Sequence, residues 1–197
     1  MLVVPIAPMK NNVTSPAVRL ALLAVAAAAF SACGGAEDEG KASSAASDKG
    51  GLLGNPAPDF HLKALAGAQA GNVSLKALRG KVVLVDFWGT FCEPCKKSFP
   101  KLQDLNTKYG ASGLQIVGIS EDEAEDRDKI PGFASTYGAR FTLGWDEDKS
   151  IARAYRPETM PSSFLIDKKG VIRFAHVGYH DGEEVEVEKE IQQLLKQ

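Results

Sequence analysis

Lys81-Val-Val-Leu-Val-Asp-Phe-Trp-Gly-Thr-Phe-Cys92-Glu-Pro-Cys95-Lys-Lys97 joins a strand signal directly to a pair of cysteines. Lys81–Phe87 is a near-continuous β-branched and apolar run, the pattern of a strand covered on both faces, and is predicted to be central. Leu114-Gln-Ile-Val-Gly-Ile119 is a second such run, and the helix-length segment Cys92–Tyr109 lies between them. Strand, helix, strand in that order predicts a β-α-β unit with parallel strands, and places Cys92 at the N-terminus of the helix. Outward from this unit, Phe60–Leu65 and Val73–Leu78 read as a short hairpin. Glu121–Gly138 and Ser150–Tyr155 read as helices around a short strand near Phe141–Leu143, with Pro131 obliged to sit in a first turn or break its helix. Ser163–Asp167 and Val171–Ala175 are strands joined by Lys168-Lys169-Gly170, a turn short enough to force antiparallel pairing. Asp181-Gly-Glu-Glu184 has the form of a capping box, and Val187, Ile191, Leu194 and Leu195 supply the apolar stripe of a closing helix. The acidic run Glu183–Glu190 is then its solvated outer face. The fold class is α/β, a mixed sheet flanked by helices.

The 197 residues are 44% hydrophobic and 24% charged, enough for one domain with a real core. With 23 Lys and Arg against 25 Asp and Glu the formal charge is -2, so there is no basic field to hold nucleic acid. The first 33 residues carry only Lys10 and Arg19, followed by an apolar run from Leu20 to Phe30. That run is too short to span a bilayer, which needs about 20 residues, and fits the core of a signal peptide over residues 1–32. Its removal takes the formal charge from -2 to -4, because both charges lost are positive. Gly34–Gly54 has six Gly, four Ala, three Ser and six charged residues with only two leucines, too little apolar surface to order itself. Residues 33–55 therefore read as a tether with an r.m.s. span of roughly 25 Å, and residues 56–197 as the domain.

Cys92 and Cys95 carry the chemistry. A sulfur at a helix N-terminus faces free N–H groups and the positive end of the dipole, which favour its thiolate, so Cys92 is the expected nucleophile with a lowered pKa. Cys95, one turn in, is placed to attack any mixed disulfide that Cys92 forms. Pro94 suits the first turn because it has no N–H to lose; Lys96 and Lys97 add positive potential and Glu93 opposes it. A structural disulfide and a zinc site that adds His176 and His180 are the competing readings. The first closes too small a loop to stabilise much, and the second spreads its ligands too far along the chain. Asp86 is the anomaly of the strand. A carboxylate inside an apolar run is costly unless protonated or wet, so its pKa should be raised toward the range of a proton carrier. Trp88 follows on the same face and reads as a lid over the cysteines, with core packing as the alternative.

Asp86-Phe-Trp-Gly-Thr-Phe-Cys-Glu-Pro-Cys-Lys-Lys97 resembles the thioredoxin superfamily, in particular the TlpA/ResA-like extracytoplasmic thiol-disulfide oxidoreductases, and the likeness covers nearly all of 56–197. Pro100 coincides with the superfamily's helix-kinking proline, and Met160-Pro161 with its cis-proline. The segment between Ile119 and Pro161 is like the TlpA-type insert, beside an N-terminal hairpin. The resemblance implies a protein disulfide reductase without a cofactor, catalytic Cys92, Cys95 and Asp86, and a substrate surface made by Trp88, Glu93, Pro94, Met160 and Pro161. A cis Met160–Pro161 bond would present the Met160 backbone to an extended substrate chain. Asp86 matches thioredoxin's buried aspartate and would take the Cys95 proton through water. Phe30-Ser-Ala-Cys33 resembles a bacterial lipobox with Phe30 in place of the usual Leu, which implies lipidation of Cys33 and anchoring to a membrane facing the periplasm or exterior. The implied partners are substrate proteins with disulfides and an upstream membrane thiol electron donor, with no nucleic acid and no metal. In the relatives a Glu commonly stands three residues after the second cysteine; here it is Ser98. Two other activities fit the same fold, a peroxiredoxin-like thiol peroxidase and a non-catalytic peptide-binding module. The peroxidase motif has Thr three residues before its cysteine, where this chain has Gly89, with Thr90 one position late and Arg156 a poor match for the distant Arg.

Overall fold

A computed structural model describes residues 51–67 and 71–197. The expected signal segment 1–32, Cys33 and the tether as far as residue 50 lie outside the described residues. The strands are β1 (His61–Ala66), β2 (Gly71–Ser74), β3 (Val82–Trp88), β4 (Leu114–Ser120), β5 (Thr142–Trp145), β6 (Ser162–Ile166) and β7 (Ile172–Val177). The helices are α1 (Glu93–Tyr109), α2 (Ile130–Thr136), α3 (Ser150–Tyr155) and α4 (Glu184–Leu195). The strands form one mixed sheet in the order β2-β1-β5-β4-β3-β6-β7. β3, β4 and β5 run parallel, while β6 is antiparallel to β3 and β7 to β6. This is the α/β architecture expected, with the hairpin joined to the sheet through the antiparallel pair β1 and β5.

All of β3 is buried because both faces of the sheet are covered. Val82, Leu84 and Trp88 point into one apolar cluster with Phe99 and Leu102 of α1, Phe133 of α2 and Ile191 of α4. Val83, Val85 and Phe87 alternate into the other, with Leu75, Leu78 and Tyr155. Each fully buried side chain of this size contributes roughly 1.5–3 kcal/mol of burial free energy. Asp86 lies on the first face, beneath α1 and α4, and that placement brings it into the site.

The structure corrects four local expectations. Leu75–Leu78 is a turn of 3₁₀ helix rather than a strand. Ser74 Oγ accepts from Ala77 N–H at 3.2 Å and starts the turn, and the i, i+3 pair Leu75 and Leu78 is buried. The helix expected over Glu121–Gly138 is a 3₁₀ segment, Ala124–Lys129, followed by α2, with Pro131 in the first turn of α2. Asp181 does not cap α4. Glu183 is the N-cap residue and makes no side-chain cap bond; its Oε2 accepts from His180 N–H at 3.1 Å in the turn before the helix. Residues 51–55 belong to the domain rather than to a tether. Gly54 N–H donates to Ile172 O, Ile172 N–H to Asn55 O, and Leu52 and Leu53 pack on the core.

Candidate active site

The chain leaves β3, turns through Gly89, Thr90 and Phe91, and enters α1 at Cys92, the N-cap residue. Cys92 N–H donates to Gly89 O at 3.0 Å, and Cys92 Sγ accepts from Cys95 N–H at 3.2 Å. One of the free N–H groups at the start of α1 is thus aimed at the sulfur, the contact expected of a stabilised thiolate. Cys92 and Cys95 are joined in a disulfide with their Cα atoms 5.3 Å apart. Cys92 is 6% exposed and Cys95 fully buried, so the outer sulfur alone offers an approach. Pro94 sits in the first turn as expected. Glu93 opposes the sulfur less than its charge implies, because it is paired with Lys96 Nζ at 2.6 Å. Glu93, Pro94 and Lys97 line a shallow surface hollow with Tyr179 and Asp181. Phe91, immediately before the nucleophile, is 61% exposed.

Trp88 is not a lid. It is fully buried, with its ring 4.7 Å from both Phe99 and Phe133. It has no surface to offer a substrate. Gly118 on β4 makes the room: a Cβ there would lie 2.4 Å from Leu143 Cδ2 and 3.1 Å from Trp88 Nε1.

Asp86 is 1% exposed. Its Oδ1 accepts from Ser163 Oγ, across the β3–β6 pair, at 2.7 Å, and its buried Oδ2 has no hydrogen-bond partner among the described residues. Burial pushes its pKa up to about 7, against the lowering effect of Ser163 and with help from the charge of Glu183. Asp86 opens onto a cavity of about 30 Å³, room for a water molecule, lined also by Ser98, Pro161, Ser163 and His176. Ser98 lies one turn after Cys95 and donates its hydroxyl to the Cys95 carbonyl at 3.1 Å. The carboxyl therefore shares a water-sized space with the turn that carries the second cysteine.

The Met160–Pro161 bond is cis. Pro161 is buried beside the Asp86 cavity and its carbonyl accepts from Gly178 N–H at 2.8 Å, whereas Met160 is half-buried.

Sequence reasoning missed Asp122. Fully buried, it accepts from Thr90 N–H at 3.0 Å and 3.1 Å, from Thr90 Oγ1 at 2.5 Å and from Ser120 Oγ at 2.6 Å. Its carbonyl takes Trp145 Nε1 and Lys149 Nζ. Asp122 thereby clamps the loop that delivers Cys92. The parallel register held the signal: Trp88 is opposite Ser120, so the residues two further on, Thr90 and Asp122, must emerge side by side. The clamp also commits the Thr90 hydroxyl away from the sulfur, and Arg156 is an exposed residue at the C-terminus of α3.

Residues 53–175 match the model of the AhpC/TSA family. The chain belongs to the AhpC/TSA family. It is 35% identical to the thiol-disulfide oxidoreductase ResA of Bacillus anthracis over 134 residues, 68% of this chain and 75% of the relative. It is 37% identical to the thioredoxin-like protein YneN of Bacillus subtilis over 134 residues, 68% of this chain and 76% of that one. A Chlorobium tepidum protein assigned as thiol:disulfide interchange protein DsbE has a crystal structure that superposes with a TM-score of 0.66 at 35% identity, covering 73% of this chain and 97% of its own. These likenesses place this AhpC/TSA-family chain among the oxidoreductases with a thioredoxin-like fold and a redox cysteine pair.

Proposed function

We propose that this thiol-disulfide oxidoreductase is an exported protein disulfide reductase, tethered to a membrane through lipid on Cys33. The observation that carries the reading is Cys92 Sγ at the start of α1, accepting Cys95 N–H and bonded to Cys95. The Cys92 thiolate attacks one sulfur of a substrate disulfide, forming a mixed disulfide and expelling the other substrate sulfur as a thiolate. Asp86 takes the Cys95 proton through the water-sized cavity. The Cys95 thiolate then attacks Cys92 Sγ and expels the second substrate thiolate. Two electrons pass to the substrate, and the protein is left with the Cys92–Cys95 disulfide. A thiol electron donor at the membrane returns it to the dithiol. Phe91, Glu93 and Pro94 flank Cys92 in the chain and would meet the substrate, and the Met160 backbone beside the cis-proline pairs with an extended substrate segment. The export reading rests on the apolar run Leu20–Phe30 before Ser31-Ala32-Cys33.

One bacterial expression experiment tests both halves. Cys95→Ala is expected to accumulate proteins disulfide-linked to Cys92, and Cys33→Ala to move the protein from the membrane fraction to the soluble one. No trapped protein with Cys95→Ala, together with no insulin reduction by the wild type, would remove the reductase. Unchanged membrane partition of Cys33→Ala would remove the tether.

A further inference from the structure

The cavity beside Asp86 continues to α4. Besides Asp86, Ser98, Pro161, Ser163 and His176, it is lined by Lys101 of α1, by Tyr179 and by Glu183 and Glu184. Three of its titratable groups, Lys101, Tyr179 and Glu184, keep one protonation state near neutrality. Glu184 is kept ionised by its own backbone N–H at the helix start and by Lys101, whose Nζ lies 3.3 Å from its Oε1. That same pair keeps Lys101 protonated, and burial keeps Tyr179 neutral. Glu183 behaves oppositely to its neighbour: burial raises its pKa, while the His180 N–H and the charge of His176 lower it less. His176 has its Nε2 tied to Glu190 Oε2 at 2.7 Å. Burial opposes its protonation, and the bond and charge of Glu190 outweigh that effect. Glu183 is half-buried at the end of a turn, His180-Asp181-Gly182, that is exposed. It therefore reaches from solvent into the space that Asp86, with its unpartnered carboxylate oxygen, also lines.

We infer that Glu183 is the second acid–base group of the site, exchanging protons between Asp86 and solvent through the shared cavity and acting on the cysteines only through Asp86. The inference rests on the two-cysteine reductase reading and adds to it the outlet for the proton. The Cys95 proton passes through water to the Asp86 carboxylate, from there through the cavity to the Glu183 carboxylate, and then to bulk water. No bond other than O–H and S–H changes in this transfer. Glu183 is thus a positioning residue for a proton, and its negative charge also sets how readily Asp86 ionises.

The test compares wild type, Glu183→Gln and Glu183→Ala. Reduced protein is mixed with excess chromogenic aromatic disulfide, and release of the second thiol reads the attack by Cys95 as a function of pH. In parallel, Asp86 is titrated by carbon NMR in the reduced protein. Glu183→Gln keeps an acceptor for His180 N–H and removes the charge. The Asp86 midpoint is expected to move acid-ward by about half a pH unit or more in both variants. The pH profile of second-thiol release should lose one of its two ionisations. An Asp86 midpoint and a pH profile that match wild type in Glu183→Gln would overturn the inference. A shift confined to Glu183→Ala would assign the effect to the loop tie and overturn it equally. Absence of the second phase in wild type would sink the two-cysteine reading, and this inference with it.

Discussion

Asp86 is the residue at which the proposed chemistry and the stability of this protein meet. Its folded-state pKa of about 7 lies above the ordinary 3.8, so the native state holds a proton that the unfolded chain has already released. Stability contributed by this group therefore falls as pH rises between 3.8 and about 7, and the loss is complete above that window. Asp86→Asn removes the titration. In denaturant unfolding at mildly alkaline pH the variant should be more stable than wild type by on the order of a few kcal/mol. It should also resolve mixed disulfides at least about 10-fold more slowly near neutrality. A variant no more stable than wild type there, or one that resolves at the wild-type rate, would contradict the role. The anomaly was legible in the sequence because a carboxylate in Val-Val-Leu-Val-Asp-Phe has no cheap explanation. Trp88, two residues on, was misread. Strand alternation fixes which face it takes, but not that Phe99 and Phe133 cover that face.

Elements whose signal is local and strong were readable: β3 and β4 from their apolar runs, α1 from its position between them, and α4 from its stripe. The misread elements had two patterns available. Val73, Leu75 and Leu78 suit a strand end or a helical turn, and Ser74 Oγ decides for the turn. The loop from β3 to α1 depends on a contact made 32 residues away in sequence, Thr90 to Asp122, which no local pattern contains. Asp122→Ala deletes the acceptor for the Thr90 N–H and hydroxyl and for Ser120 in a buried setting. The expected loss is about 2–4 kcal/mol in denaturant unfolding, with slower insulin reduction because Cys92 is less firmly presented. Wild-type stability would show that the clamp does not hold the loop. The acidic face of α4 is also more committed than its composition suggests: Glu184 pairs with Lys101, Glu188 with Lys108 and Tyr109, and Glu190 with His176.

Across the whole molecule, the mixed sheet places the C-terminal ends of β3 and β4 side by side, sets α1 on one face, and brings Pro161 at the start of β6 against the Asp86 cavity. The result is one nearly buried sulfur with a backbone N–H aimed at it, a second sulfur sealed behind it, and a carboxyl that can hold a proton near neutrality. With that arrangement the outer thiol of the reduced protein is expected to ionise well before an ordinary one. Alkylation of Cys92 by iodoacetamide as a function of pH, in reduced Cys95→Ala, measures this directly. The midpoint is expected clearly below the value of about 8.5 for free cysteine. A midpoint at or above that value would mean that the start of α1 does not activate Cys92.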